Sequence, residues 1–122
     1  MDPDDILIVR EPVRAEDLKR LVQLFGDMVK FVADIERGVL SLGGDLHADG
    51  EALLVQDGSR PADLWGGNYY PGLGPAECIR YTSLINIRPR QDNLGMEVKD
   101  PAVRARIEAL VFRLVGKGEA LR

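Results

Sequence analysis

From Val29 onward apolar and polar residues alternate: Val29, Phe31, Ala33 and Ile35 interleave with Lys30, Asp34 and Glu36. A period of two gives a strand one apolar face and one largely polar face. Glu36, Arg37 and Gly38 make the turn of a hairpin, with Gly38 able to take the positive φ that short hairpin loops demand. The return strand, Val39 to Leu42, meets Gly43 and Gly44, and paired glycines weaken a strand, so the acid-rich segment that follows is expected to leave the sheet there.

On either side of the hairpin the pattern changes period. Ile6 to Val9 is a continuous apolar run ended by Pro12, which reads as a strand covered on both faces. Leu18, Leu21, Val22 and Phe25 recur at helical spacing behind Glu16 and Asp17, which predicts a helix over Ala15 to Phe25 stopped by Gly26. Asp49 to Gln56 predicts a short helix with Asp49 as N-cap. Leu64 to Tyr70 reads as a strand with Trp65 and Tyr69 on one face, its Gly66-Gly67 pair marking a bulge or a close approach by another group.

Ile79 to Arg88 is the clearest alternating strand in the chain and is closed by Pro89. A polar and mobile loop is expected over Arg90 to Lys99. Asp100 as N-cap, Pro101 and the stripe Val103, Ile107, Leu110, Val111 and Leu114 predict a final helix ending near Gly116, its outer face basic through Arg104, Arg106, Arg113 and Lys117. This order lacks regular βαβ alternation. It predicts one α+β domain over residues 1–122: a mostly antiparallel sheet of about four to five strands, with two main helices and one short helix packed on one face.

Composition narrows the function classes. Of 122 residues, 16 are basic and 20 acidic, a net charge of −4, which argues against non-specific nucleic-acid binding because that binding draws its strength from basic groups on phosphates. Cys78 is the only cysteine, so no disulfide can form within the chain and no CxxC metal spacing exists. The acidic start Met1-Asp2-Pro3-Asp4-Asp5 is unlike a secretory signal, and no apolar run approaches the ~20 residues that cross a bilayer. The expected setting is cytoplasmic, with no membrane association.

Two constellations carry candidate chemistry. Asp45, His47, Asp49 and Glu51 place four donors at every second residue around the only histidine. Asp45, His47 and Asp49, with Gly50 and Gln56, shadow the calcium-loop pattern, but His at the third position and Gln at the twelfth are poor ligands for a hard cation. A transition metal held by Asp45, His47 and Asp49 is chemically reasonable, and a divalent metal is the one cofactor the chain suggests. The structural alternative has His47 packing at a strand end, Asp49 capping a helix and Glu51 facing solvent.

The second constellation runs from Asn86 to Asn93. Arg88 at a strand end, with Arg90, Gln91 and Asn93 after it, offers donors to a carboxylate, a phosphate or a base edge. With Trp65, Tyr69 and Tyr70 it would form a pocket for a nucleotide or another planar anion. The alternative is an ordinary polar loop whose arginines pair with nearby acids. Cys78, between Glu77 and Ile79, reads as a small buried apolar residue rather than a nucleophile. No nucleophile elbow, P-loop or dinucleotide fingerprint is present.

Gly26-Asp27-Met28-Val29-Lys30, Gly43-Gly44-Asp45-Leu46-His47-Ala48-Asp49, Asp57-Gly58-Ser59, Asp63-Leu64-Trp65-Gly66 and Ile85-Asn86-Ile87-Arg88-Pro89 are similar to motifs of a small prokaryotic family of uncharacterised single-domain proteins, a domain of unknown function. The resemblance spans nearly the whole chain. It implies a single domain and assigns no role to His47 or Arg88.

The preferred reading is a small binding module for an anionic small ligand or a protein partner. Its cleft would join His47 and Asp49 to Asn86, Arg88 and Arg90, with Trp65 and Tyr69 as the apolar wall. The first alternative is a metal-dependent hydrolase, with Asp45, His47 and Asp49 holding the ion and Glu51 activating water. The second is a homodimeric structural or regulatory protein that pairs strand edges or the apolar residues of the last helix.

Overall fold

A computed structural model describes residues 5–121. The acidic start at residues 1–4, used above against a secretory signal, lies outside them. Five strands, β1 (Ile6–Val9), β2 (Val29–Asp34), β3 (Val39–Gly43), β4 (Leu64–Tyr69) and β5 (Ile79–Arg80), form one sheet in the order β1-β3-β2-β4-β5. Every neighbouring pair is antiparallel. The helices are α1 (Ala15–Phe25), α2 (His47–Gln56) and α3 (Pro101–Leu114). This is the expected α+β architecture. Among the described residues no helix is long and apolar enough to cross a membrane.

The hairpin forms where its alternation demands. Asp34 faces Val39 across the turn, Asp34 Oδ1 accepts from the backbone N–H of Glu36 and Arg37, and Gly38 sits at φ 71°. Gly43 and Gly44 take φ of 104° and 90°, conformations that L side chains resist, and the chain turns out of the sheet there. Asp100 caps α3 by accepting from the N–H of Ala102, with Pro101 at its first position. The basic face of α3 is tied to the hairpin turn: Arg106 pairs with Glu36 at 2.9 Å, and Arg113 donates to the Gly38 carbonyl.

The helices divide between the two faces of the sheet, in place of the single-face packing expected. Leu21 of α1 and Ile107, Val111 and Leu114 of α3 bury themselves on Phe31, Leu40, Leu42, Trp65 and Tyr69. The opposite face carries Val32, Val39 and Leu64, which are covered by Leu54 of α2. The reason is visible in β2 and β3: both strands are buried at nearly every residue, so the face that alternation marks as polar also needs a cover. Gly50 lets α2 approach closely, since a Cβ there would collide with Ser41 Oγ. β1 serves both layers, with Leu7 and Val9 in the first and Ile8 in the second.

The stretch Ile79 to Arg88 departs furthest from expectation. Only Ile79 and Arg80 are strand, pairing with Tyr69 and Asn68. Apart from isolated bridges from Thr82 to Glu97 and from Arg88 to Asn93, the chain winds into a 3₁₀ turn, Leu84–Asn86, and a second, Pro89–Gln91. Ser83 Oγ accepts from the N–H of Ile85 and so starts the first turn, a local bond that competes with a ladder. The following loop is pinned rather than free. Buried Asn93 donates to the carbonyls of Asn86, Gly95 and Glu97, and its Oδ1 accepts from the N–H of Lys99.

Candidate functional site

On its β5 side β4 has a strand partner only at Asn68 and Tyr69, and side chains take over the open edge that precedes them. Asn86, fully buried, accepts from the N–H of Gly66 at 2.8 Å and donates to the Gly66 carbonyl at 2.9 Å. Arg88 donates through Nε to Ile85 O at 3.0 Å and through Nη2 to Leu64 O, and its guanidinium lies 4.6 Å from the centre of the Trp65 ring. Glu51 of α2 lies 3.8 Å from Arg88 Nη2. Burial pulls the Arg88 guanidinium below its ordinary pKa, and the nearby Glu51 and Asp63 oppose the shift. Asn86 and Arg88 are therefore occupied in sealing the sheet.

The remaining residues of the expected cleft are also placed elsewhere. Trp65 and Tyr69 are core residues, 4% and 1% exposed, and Tyr69 Oη accepts from the N–H of Gly118. Arg90 is exposed. Asp45 and Asp49 are exposed as well, and α2 begins at His47 with Leu46 as its N-cap, so Asp49 falls in the first turn rather than at the cap. Among the described residues no three His, Cys, Asp or Glu side chains gather closely enough to hold a metal ion, and Asp45, His47 and Asp49 are no exception. Cys78 is buried, and burial raises its thiol pKa.

His47 is the one member of the set that lines the cleft beside the start of α2. Its Nε2 lies 2.7 Å from the carbonyl oxygen of Gly67. A carbonyl only accepts, so the neutral ring carries its proton on Nε2 and leaves Nδ1 as an acceptor. The glycine pair makes this approach available: a Cβ on Gly66 would sit 3.1 Å from His47 Cδ2 and 2.7 Å from Ser83 Cβ. β4 keeps its register with β2 through the pair, so the signal marks a close approach and not a bulge.

The cavity is a cleft of about 400 Å³ between the start of α2, the β2–β4 pair and the segment Thr82 to Ile85. Met28, Leu46, Leu84, Ile85 and Met96 supply apolar wall; Lys30, His47, Asn68, Thr82 and Ser83 supply polar groups. Lys30 and Asn68 face each other across β2 and β4. Lys30 makes no ion pair among the described residues. Asn68 Oδ1 is buried without a hydrogen-bond partner. Burial lowers the pKa of His47, the Lys30 charge acts the same way, and the Gly67 carbonyl and the Asn68 side chain oppose them. Asn68 therefore favours the charged ring from close by, although its oxygen is not aligned to accept a bond from it.

Neither Arg88 nor Arg90 lines this cleft, so the structure does not join His47 to the arginines. Lys30, Asn68, Leu46, Leu84 and Met96 were not among the expected site residues. Lys30 is the polar member of an alternating strand, and its meeting with Asn68 depends on a register that local pattern does not carry.

No curated protein and no solved structure matches the chain. One family does match, over residues 7–114, and by that match the chain belongs to DUF5674, a family described as a protein of unknown function.

Proposed function

We propose that this protein is a small binding module and that the cleft holding Lys30, His47 and Asn68 takes an anionic small ligand. The observation that carries the reading is Lys30, a cation without an ion-pair partner among the described residues, set in a largely apolar cleft. Lys30 is half-buried with its charge unpaired beside that apolar wall, so a negative ligand group there completes an interaction that the protein leaves open. The N-terminus of α2 adds to the field, because its N-cap is Leu46, which has no side-chain oxygen to offer the first turn. The sole cysteine is a buried free thiol, which suits a reducing compartment, and we place the module in the cytoplasm.

The test is a two-dimensional amide NMR titration with a panel of organic anions. Saturable shifts at Lys30, His47, Asn68 and Leu84, weakened in Lys30→Met, are the expected result. A panel that leaves those four residues unmoved overturns the reading.

A further inference from the structure

We infer that the ligand class of this cleft is an aliphatic carboxylate, an acid group on a flexible hydrocarbon body; this rests on the anion-binding reading above. Three features of the wall select it. Lys30 is the only Lys, Arg, Asp or Glu side chain in the lining. An ammonium is a point charge that satisfies a single acid group, whereas phosphates and phosphate esters are met more fully by the planar forks of arginine, and no arginine lines the cleft.

The wall also lacks Phe, Tyr and Trp. Recognition of nucleobases and other planar rings draws on stacking against such side chains. Here the apolar surface is Met28, Leu46, Leu84, Ile85 and Met96, which is branched aliphatic and thioether surface able to shape itself to a flexible chain.

Finally, the rim is apolar, open and held in place. Leu46, Leu84 and Met96 are 61%, 71% and 42% exposed. Their exposure is not that of a loose loop: Leu46 is the N-cap of α2, Leu84 opens the 3₁₀ turn that Ser83 starts, and at Met96 Asn86 bonds the carbonyl at 3.0 Å while Asn93 bonds the carbonyls on either side of it. A fixed apolar rim around one unpaired cation matches an amphiphile whose head enters and whose body lies across Leu84 and Met96. In this pose the carboxylate meets Lys30 Nζ beside His47.

The experiment compares acetate, hexanoate, octanoate, octan-1-ol and inorganic phosphate by amide NMR titration of the full chain, with Lys30→Met and Leu84→Ser as variants. Octanoate is expected to shift Lys30, His47, Asn68 and Leu84 saturably, with affinity rising roughly two- to fourfold per added methylene from acetate upward. Octan-1-ol should bind roughly tenfold or more weakly than octanoate, and Lys30→Met should remove that difference. Leu84 is exposed, so Leu84→Ser should leave the spectrum dispersed and weaken octanoate severalfold, which keeps the test decisive if Lys30→Met fails to fold.

Phosphate or acetate binding at the same residues as tightly as octanoate overturns the aliphatic class and leaves the anion cleft standing. Octan-1-ol matching octanoate in the unmodified protein overturns the role of the charge, and with it both proposals. Silence at all four residues with every anion does the same.

Discussion

Asn86 pairs with Gly66 as one strand pairs with another, except that half of the pair is a side chain. Its amide accepts from the Gly66 N–H at 2.8 Å, donates to the Gly66 carbonyl at 2.9 Å, and donates again to Met96 O at 3.0 Å. The sheet edge is thereby closed at Gly66 by one residue, and the rim of the cleft is fastened to it.

Replacing Asn86 by alanine leaves buried backbone groups of Gly66 without partners. Each such group costs about 1–3 kcal/mol, so Asn86→Ala is expected to lower unfolding free energy by about 2–4 kcal/mol in urea titrations. A loss below about 0.5 kcal/mol, the range of ordinary surface changes, would mean the amide is not what closes the edge. Asn86→Asp keeps the acceptor and loses both donors, so it should be no better tolerated.

Ser41 and Gly50 meet where α2 crosses β3, and their substitutions should not add. Ser41 Oγ is buried without a hydrogen-bond partner and occupies the place a Gly50 Cβ would take. Ser41→Ala removes an unsatisfied hydroxyl and should be neutral or stabilising by up to about 1 kcal/mol. Gly50→Ala gains about 1 kcal/mol of helix propensity, but in the presence of Ser41 Oγ it should still destabilise. With Ser41→Ala the nearest remaining atoms are Ser41 Cβ at 3.2 Å and Val32 Cγ2 at 3.3 Å. The double mutant should then recover at least about 1 kcal/mol over the sum of the single effects, and an additive cycle would refute the collision.

Much of the fold is legible in the chain because it is encoded between near neighbours. The β2–β3 hairpin follows from alternation and Gly38, α1 from its apolar spacing, and α3 from Asp100-Pro101 and its stripe. The 79–88 stretch misleads because side-chain alternation says nothing about where the backbone finds partners. Ser83 and Asn86 supply local and side-chain bonds that make a long strand unnecessary. The site was half legible: the glycine-terminated hairpin and its histidine are local facts. Lys30 meeting Asn68, and α2 settling over the face marked polar, depend on register and packing between distant segments.

Arg88 should not tolerate lysine. The guanidinium serves Ile85 O and Leu64 O, reaches Ala62 O at 3.4 Å, and stacks on Trp65. An ammonium has no planar fork to span those carbonyls and no face to lay on the indole. Arg88→Lys is expected to cost about 1–3 kcal/mol in thermal or urea unfolding, while octanoate affinity stays within about twofold because Arg88 does not line the cleft. Loss of binding with stability intact would return Arg88 to the ligand site.

His47 makes stability depend on pH near neutrality, and the sign follows from its environment. Burial and the Lys30 charge hold its folded pKa below the ordinary value, so between that ordinary value, about 6.5, and the lowered one the unfolded chain binds the proton more readily. Stability is therefore full above about pH 6.5 and is lost as pH falls toward the folded pKa, below which both states are protonated and the loss stops growing. As the only histidine in the chain, its signal is separable. Unfolding free energies at pH 7.5 and 5.5 should differ more in the unmodified protein than in His47→Gln, which keeps a donor for Gly67 O. The imidazole's own NMR titration should give a pKa under 6.5. Octanoate should raise it, because a carboxylate beside Lys30 cancels the charge that disfavours the imidazolium. An unshifted or raised pKa in the free protein would show that the ring is not held neutral in the cleft.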